Sequence, residues 1–347
     1  MDLRRLDEFI SALPSRKIAI AGDFFLDQYM VIDPELVEKS IETGLDAHQV
    51  VEMRPSPGAA GSVTTKVAAL GTGIIYAVTI LGDDGNGYEL SRELKSIGVR
   101  FDHVLLRADR FTPTYGKPMI RRAKGSEEEI NRIDVKNRQP VPEDAEAAII
   151  RSLRQLAAEV DAIIVLDQVE QPNCGVITDA VREELCRIAA EHPKLIVFAD
   201  SRNRIGLFRD IMVKPNFKEA SRALGRGGAK ESLDAAKQMA GELAAANRRP
   251  VFLTVGAKGI ITAGAAAAEP AAAATVVPAL PVRGPIDTTG AGDTVTAGVV
   301  CALSAGANAI EAAEMGNLAT SVTIRQLGTT GTATPEQMRA ALREFAS

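Results

Sequence analysis

Tryptophan is absent from the 347 residues, and the aromatic residues together make up only 4% of them. So few rings leave little for nucleic-acid bases to stack on, which argues against a nucleic-acid partner. Cysteine is scarce: Cys174, Cys186 and Cys301 are an odd count, widely spaced, with no CxxC pair. They are expected to be reduced, mostly buried thiols rather than a metal or redox site. The three histidines (His48, His103, His192) show no metal-ligand spacing. A GxxxxGK[ST] run is also missing, which disfavours the P-loop class of nucleotide binders. Charge is nearly balanced, with 40 basic against 45 acidic residues and a net charge of −5. A polyphosphate ligand would therefore have to be met by local positive groups. No long apolar run is present. The alanine-rich stretch 263–280 is interrupted by Glu269 and Pro270, and alanine supplies little membrane affinity. The opening MDLRRLDEFI has no apolar core of a signal peptide, so a cytoplasmic protein without a membrane partner is expected.

With 46% hydrophobic and 24% charged residues, the chain has the balance of a folded globular protein. Short apolar runs recur at 17–23, 73–82, 162–167, 195–200, 211–216 and 250–256, rich in β-branched residues and without strict alternation. Such runs suit strands buried on both faces. Segments 62–70, 143–159, 176–191 and 232–246 between them carry helical spacing. The alternation predicts a doubly wound α/β fold, a mostly parallel sheet flanked by helices. Two stretches depart from it. Residues 29–53 and 114–133 are more polar and more alternating, and they predict exposed antiparallel strands of a small accessory sheet. The whole of 1–347 is then one domain, with a β-sheet lid from about 29–57 and 110–135. In open α/β sheets ligands sit beyond the carboxyl ends of the strands, where Asp23, Asp167, Asp200 and Asn216 stand.

The strongest local signal is DTTGAGD (Asp287–Asp293), followed by TVTAGVVCALSAG. Val295, Val299 and Leu303 recur every four residues, so a helix begins near Asp293. Gly290 and Gly292 permit close backbone approach, and the first N–H groups of a helix lack partners. With the helix dipole these form an anion cradle. A carboxylate inside it makes sense as a base: Asp293 can accept the proton of an attacking hydroxyl while the N–H groups hold charge on a phosphoryl group. The plain alternative is a helix cap in a glycine-rich turn.

This segment resembles the second signature of the ribokinase-like (PfkB-type) carbohydrate kinases, and the resemblance extends over nearly the whole chain. It implies the doubly wound core with a small β lid, ATP as phosphoryl donor, Asp293 as base and the Gly290, Ala291 and Gly292 amides as anion hole. GDFFLDQY (22–29) is similar to the family's first-strand motif, implying Asp27, with Asp23 beside it, as sugar ligands. PGAAGSV (57–63) stands in the place of the GGxxxN sugar signature, implying Gly58 and Ser62. KPNFKE (214–219) contains the family's NxxE, implying that Asn216 and Glu219 order Mg²⁺, its waters and the phosphates. TVGAKG (254–259) and NLATSVTIRQLGTTG (317–331) resemble the segments around adenine, implying Thr254, Gly256, Gly259, Asn317 and Ser321 near the nucleotide. Asp287 and Thr289 resemble a potassium site found in part of the family, although ordinary turn geometry explains them equally well. Lid strands in this family often pair across a two-fold axis, which implies a homodimer.

The text departs from the family on the acceptor side. Ser62 replaces asparagine, Pro57 replaces a glycine, and 167–175 lacks the usual residues after Asp167. The first-strand motif, EEINRID (128–134) and VFADSRNR are most similar to heptose-7-phosphate kinases. A phosphorylated sugar would need a cationic clamp, for which Arg121, Arg122 and Arg132 on the lid and Arg202 and Arg204 after Asp200 are candidates. A sugar or sugar-phosphate kinase is the leading expectation. A nucleoside kinase of the same fold and a non-catalytic metabolite sensor are the alternatives.

Overall fold

The computed structural model describes the whole chain except residues 123–125, 229, 265–273, 329 and 347. The middle of the alanine-rich stretch, expected to be a loop, therefore lies outside the described residues. Its strands are β1 (Lys17–Gly22), β2 (Phe24–Lys39), β3 (Asp46–Ala59), β4 (Ile74–Gly82), β5 (Arg100–Arg107), β6 (Thr114–Arg121), β7 (Glu127–Glu129), β8 (Ile133–Val135), β9 (Ala162–Asp167), β10 (Ile196–Ser201), β11 (Met212–Val213), β12 (Val251–Thr254), β13 (Ile260–Ala263) and β14 (Thr275–Val277). Its helices are α1 (Leu3–Ala12), α2 (Ala60–Ala69), α3 (Gly85–Ser96), α4 (Glu143–Ala157), α5 (Asp179–Glu191), α6 (Phe217–Ala223), α7 (Leu233–Asn247), α8 (Ala291–Ser304), α9 (Ala309–Thr323) and α10 (Pro335–Ala346).

The large sheet runs β14-β13-β12-β11-β10-β9-β1-β4-β5, parallel from β12 to β5 and antiparallel only at the β13 and β14 edge. Its strands bury both faces in alternation. Ile18, Ile20, Ile164, Phe198 and Phe252 face a core shared with α1–α3 and α8–α10. Ala19, Ala21, Ile163, Val165 and Val197 face a second core under α4–α7. This double burial is why the strands read as unbroken apolar runs. Helix α8 is buried almost all round from Thr294 to Ala302 and crosses α9 closely: a Cβ at Gly298 would lie 2.9 Å from Gly316 Cα.

The small sheet has order β3-β2-β6-β7, with β8 also on β6. It is mixed, not antiparallel as the sequence predicts, because β2 pairs parallel with β6 along 26–32 and 114–120. Alternation of polarity reports a half-exposed strand and says nothing about the direction of its partner. The sheet also starts earlier than 29, at Phe24, and β3 continues to Ala59, so its roots touch the core sheet.

At the junction of β3 and α2 one residue is strained. Ala59 has φ +50° and ψ −118°, a region open to glycine but costly for any side chain. Ala59→Gly is expected to stabilise the protein by about 1 kcal/mol, the relieved strain outweighing glycine's extra chain entropy. For a chain of this size that is a rise in melting temperature of about 1–2 °C. An unchanged or lower melting temperature in a thermal scan would contradict it.

Candidate active site

Helix α8 opens on a turn in which Gly290 takes φ +72° and Ala291 N–H donates to Thr288 O at 3.1 Å. This corrects one expectation. The left-handed Gly290 folds the chain so that the Ala291 amide closes the turn, leaving it unavailable to an anion. Among the described residues no protein acceptor lies on the Gly290 or Gly292 N–H. Those two, with the helix dipole, form the anion-facing end.

Asp293 follows in the first turn of α8, part-buried. Burial pushes its carboxyl above the ordinary carboxylate range, and nearby Asp200 adds to this. Opposing them are the Lys66 ammonium, a hydrogen bond donated by the Ser62 hydroxyl, and Lys214. Lys214 sits just after β11, 4% exposed, with Nζ 2.9 Å from Asp200 Oδ2. Thr296 Oγ1 reaches the same Asp200 oxygen at 3.3 Å. Burial works against the Lys214 charge, but Asp200 and Glu219 outweigh it and raise its pKa. Both ammonium groups lie against this turn, at ordinary contact distance from where a side chain would begin. A Cβ at Gly290 would lie 3.4 Å from Lys66 Nζ, and one at Gly292 would lie 3.6 Å from Lys214 Nζ.

Asn216 and Glu219 meet as expected, but chiefly in a capping box. Glu219 N–H donates to Asn216 Oδ1 at 2.9 Å, and Asn216 N–H donates to Glu219 Oε2 at 2.8 Å. Burial, reinforced by Asp200, raises the Glu219 pKa. Its second carboxylate oxygen and the Asn216 amide nitrogen remain outside the box. Thr254 lies beside them through a parallel bridge from Asn216 to Thr254, and Gly256, at φ +58°, turns the chain next to it. Gly259 instead packs on β14, where a Cβ would meet Val277 O at 2.2 Å. Asn317 and Ser321 spend their donors on the protein itself. Asn317 Nδ2 donates to Val277 O and Pro278 O, both at 3.0 Å, and Ser321 Oγ donates to Leu318 O at 2.7 Å. These two tie α9 to the sheet edge and to its own turn. Asp287 likewise accepts N–H bonds from Thr289 (2.9 Å) and Gly328 (3.1 Å), which hold its carboxyl below the usual range.

On the acceptor side, the Asp23 carboxylate accepts backbone N–H bonds from Gln168 (2.9 Å) and Val169 (3.0 Å) on Oδ2 and from Val176 (2.7 Å) on Oδ1, so it is held chiefly by the framework. Asp27, on β2, is different. Oδ2 pairs with Lys117 Nζ at 3.1 Å, while buried Oδ1 has no partner. Gly58 makes space for this carboxylate, since a Cβ there would come within 3.1 Å of it. Ser62, 2% exposed, accepts from Lys66 Nζ at 2.9 Å through Oγ, and its hydroxyl also favours the ionised form of Asp293. Its hydroxyl is therefore engaged between two side chains of the site.

A cavity of about 190 Å³ opens between the small sheet and the loop after β9. Arg132, Lys136 and Arg202 line it with Tyr115, Phe25 and Gln168. Arg132 is held by two bonds to Asp134 (2.7 and 2.9 Å) and lies 4.2 Å over the Tyr115 ring. Arg121 and Arg122 lie away from it, paired with Glu52 and Glu128. Arg204 is engaged by Asp167 and by the carbonyls of Val169 and Glu170. Among the described residues no three His, Cys, Asp or Glu gather to hold a metal, and no helix is long and apolar enough to cross a membrane. Cys174 and Cys301 are buried, Cys186 is half-buried, and all three are free thiols.

Residues 25–337 match the model of the pfkB family of carbohydrate kinases. The chain belongs to that family. It is an ATP-dependent carbohydrate kinase by membership. The bifunctional protein HldE of Citrifermentans bemidjiense is 28% identical over 338 residues, covering 97% of this chain and 65% of its own length. That of Desulfatibacillum aliphaticivorans is 26% identical over 346 residues, covering 99% and 67%. The chain thus spans about two thirds of the length of the curated relatives it matches. Arabidopsis thaliana ribokinase, solved with ribose and ATP, superposes with a TM-score of 0.67 at 18% identity, covering 94% of this chain and 99% of its own. Escherichia coli phosphofructokinase-2, solved with potassium, gives 0.68 at 17%, covering 96% and 100%. At these identities the two structures show the shared fold: a large, mostly parallel sheet under helices with a small mixed sheet as lid.

Proposed function

We propose that this carbohydrate kinase transfers the γ-phosphoryl group of ATP to a hydroxyl of a sugar phosphate of the heptose 7-phosphate type, with Asp293 as general base. The observation that carries the reading is the first turn of α8. One carboxylate, its pKa raised by burial above the ordinary carboxylate range, shares that turn with two unpartnered backbone N–H groups and lies near two buried lysines. A base and an anion cradle a few atoms apart are what in-line phosphoryl transfer requires. Asp293 takes the hydroxyl proton as the oxygen attacks phosphorus. The Gly290 and Gly292 N–H groups and Lys214 hold the charge on the phosphoryl oxygens as the bond to ADP breaks.

The nucleotide lies along the β11 and β12 ends, where Asn216, Thr254 and Gly256 converge. The free carboxylate oxygen of Glu219 fits Mg²⁺, which keeps several waters and needs only one or two protein oxygens besides the phosphates, and the Asn216 amide NH2 can donate to a phosphate oxygen or to one of those waters. When bound, the ion neutralises charge on the transferring group. A potassium site at the Asp287 and Thr289 carbonyls remains part of the proposal. So does a homodimer through the β2 and β3 hairpin, which exposes Leu36, Val50, Val51 and Met53. A cytoplasmic setting agrees with the free thiols.

For the acceptor, the unpartnered Asp27 Oδ1 supplies a buried acceptor that a sugar hydroxyl would satisfy. The cavity with Arg132, Lys136 and Arg202 suits the distal phosphate, Arg132 being pre-set by Asp134 for a two-pronged contact. ADP release measured over hexoses, pentoses, heptoses, their phosphates and adenosine should single out a phosphorylated sugar. Arg132→Ala should raise KM for that acceptor about tenfold or more and leave KM for ATP unchanged. Preference for unphosphorylated sugars, or for adenosine, would overturn the acceptor assignment.

A further inference from the structure

Lys66 is buried in α2, 2% exposed, yet it is a lysine on a face that should be apolar. Val63 and Val67 on the same helix are fully buried in the core, and Ser62 is one turn before Lys66. The ammonium donates to Ser62 Oγ at 2.9 Å, with Ser62 O at 3.4 Å. The Cβ position of Gly290 is 3.4 Å from the ammonium, and the Asp293 carboxylate favours its charge while burial works against it and lowers its pKa. The Ser62 hydroxyl also helps to hold the Asp293 carboxyl ionised, so ammonium, hydroxyl and carboxylate are neighbours. A buried cation with so few partners is costly. An apolar residue here would pack at less cost, so the charge calls for a use.

We propose that Lys66 is a positioning residue for phosphoryl transfer: through Ser62 it helps to fix the Asp293 carboxylate, and it supplies a positive charge on the acceptor side of the Gly290–Gly292 turn. This rests on Asp293 being the base. It gives the replacement of asparagine by Ser62 a positive meaning. The short hydroxyl is a bridge between Lys66 and Asp293, not a sugar ligand. Lys214 stands on the other side of the same turn, against Gly292. The two ammonium groups therefore bracket the anion-facing N–H groups from opposite elements, α2 and the segment after β11.

The charged and titratable groups facing Asp293 are Lys66 from α2, Asp200 from β10 and Lys214 after β11, with the Ser62 hydroxyl as fourth neighbour. Removing Lys66 leaves burial and Asp200 opposed only by Lys214 and the hydroxyl. The base should then protonate at higher pH.

The test is the steady-state kinetics of Lys66→Met and Ser62→Ala across pH, with melting temperature and ATP binding measured on each. Lys66→Met is expected to lower kcat about ten- to a hundredfold, to leave ATP affinity within about threefold, and to move the acidic limb of kcat/KM upward by about one pH unit. Ser62→Ala, a change of one hydroxyl with the lysine kept, should move the limb the same way by less and lower kcat severalfold. An unmoved limb with wild-type kcat in either folded variant would overturn the proposal and leave Lys66 as packing. A large loss of ATP affinity with kcat kept would also overturn it, placing the ammonium on the nucleotide. If Lys66→Met does not fold, the limb in Ser62→Ala decides. Failure of the underlying reading is separate. It would appear as activity in Asp293→Asn, whatever the Lys66 variants do.

Discussion

Asp293→Asn is expected to lower kcat by about a thousandfold while ATP binds within about threefold of wild type. The substitution keeps the shape of the side chain and the first turn of α8, so the Gly290 and Gly292 N–H groups still face the phosphates. What goes is the only carboxylate on that turn able to take the hydroxyl proton. The wild-type rate should fall on the acidic side through a limb lying above the ordinary carboxylate range, because burial raises the Asp293 pKa. The sign follows from the chemistry. The base works ionised, so a raised pKa moves loss of activity to higher pH, and the asparagine variant should lose that limb along with the rate. ADP-coupled assays from pH 5 to 9, with calorimetric titration of ATP, measure both. Near wild-type kcat in a folded Asp293→Asn protein would remove the assignment.

Much of the architecture was legible because each sheet strand is buried on both faces, so its composition carries the signal. The runs at 17–23, 162–167 and 195–200 fall on β1, β9 and β10 within a residue. DTTGAGD was legible for a different reason. Glycines followed by valines every fourth residue can hardly be anything but a helix start, and Ala291 opens α8. What stayed hidden was the use each polar atom is put to. Asp23 and Asp27 are four residues apart in one motif, yet one accepts three backbone N–H groups and the other keeps a bare oxygen. That difference depends on where the loop after β9 folds back, which no local pattern encodes. Asn317 and Ser321 are polar residues in a sequence-plausible place, but their partners are carbonyls on β14 and within α9. Lys66 is hidden in the sequence because a lysine in a helix reads as solvent-facing. The available clue was spacing: Ser62 and Lys66, four apart, lie beside the buried pair Val63 and Val67 on one side of α2. Lys214 stood in plain sight within KPN, but its neighbour Asp200 is on another strand.

Lys214→Met should be the most damaging single change near the site that leaves Asp293 itself intact. Lys214 is 4% exposed, and its Nζ is the counter-charge to Asp200, itself only 7% exposed, at 2.9 Å. Glu219 and Asp293 also draw on it. Removing one member of a buried pair leaves the other desolvated and uncompensated, at a cost of about 3–5 kcal/mol. Methionine fills most of the volume, so the loss is electrostatic and not a cavity effect. The phosphoryl-facing turn loses its nucleotide-side ammonium as well, and kcat/KM for ATP should fall at least about a hundredfold. Adding Asp200→Asn separates the two losses. The double variant should recover more than half of the stability, since no uncompensated charge remains on that pair, and recover little of the activity, since the turn still lacks its cation. Urea unfolding and ATP-dependent kinetics on the single and double variants give the answer. If Lys214→Met unfolds at the wild-type urea concentration, the ion pair with Asp200 is not a support of this site. If activity returns together with stability in the double variant, Lys214 acts only by holding the fold, and the charge on the transferring phosphoryl group is met by the backbone N–H groups without it.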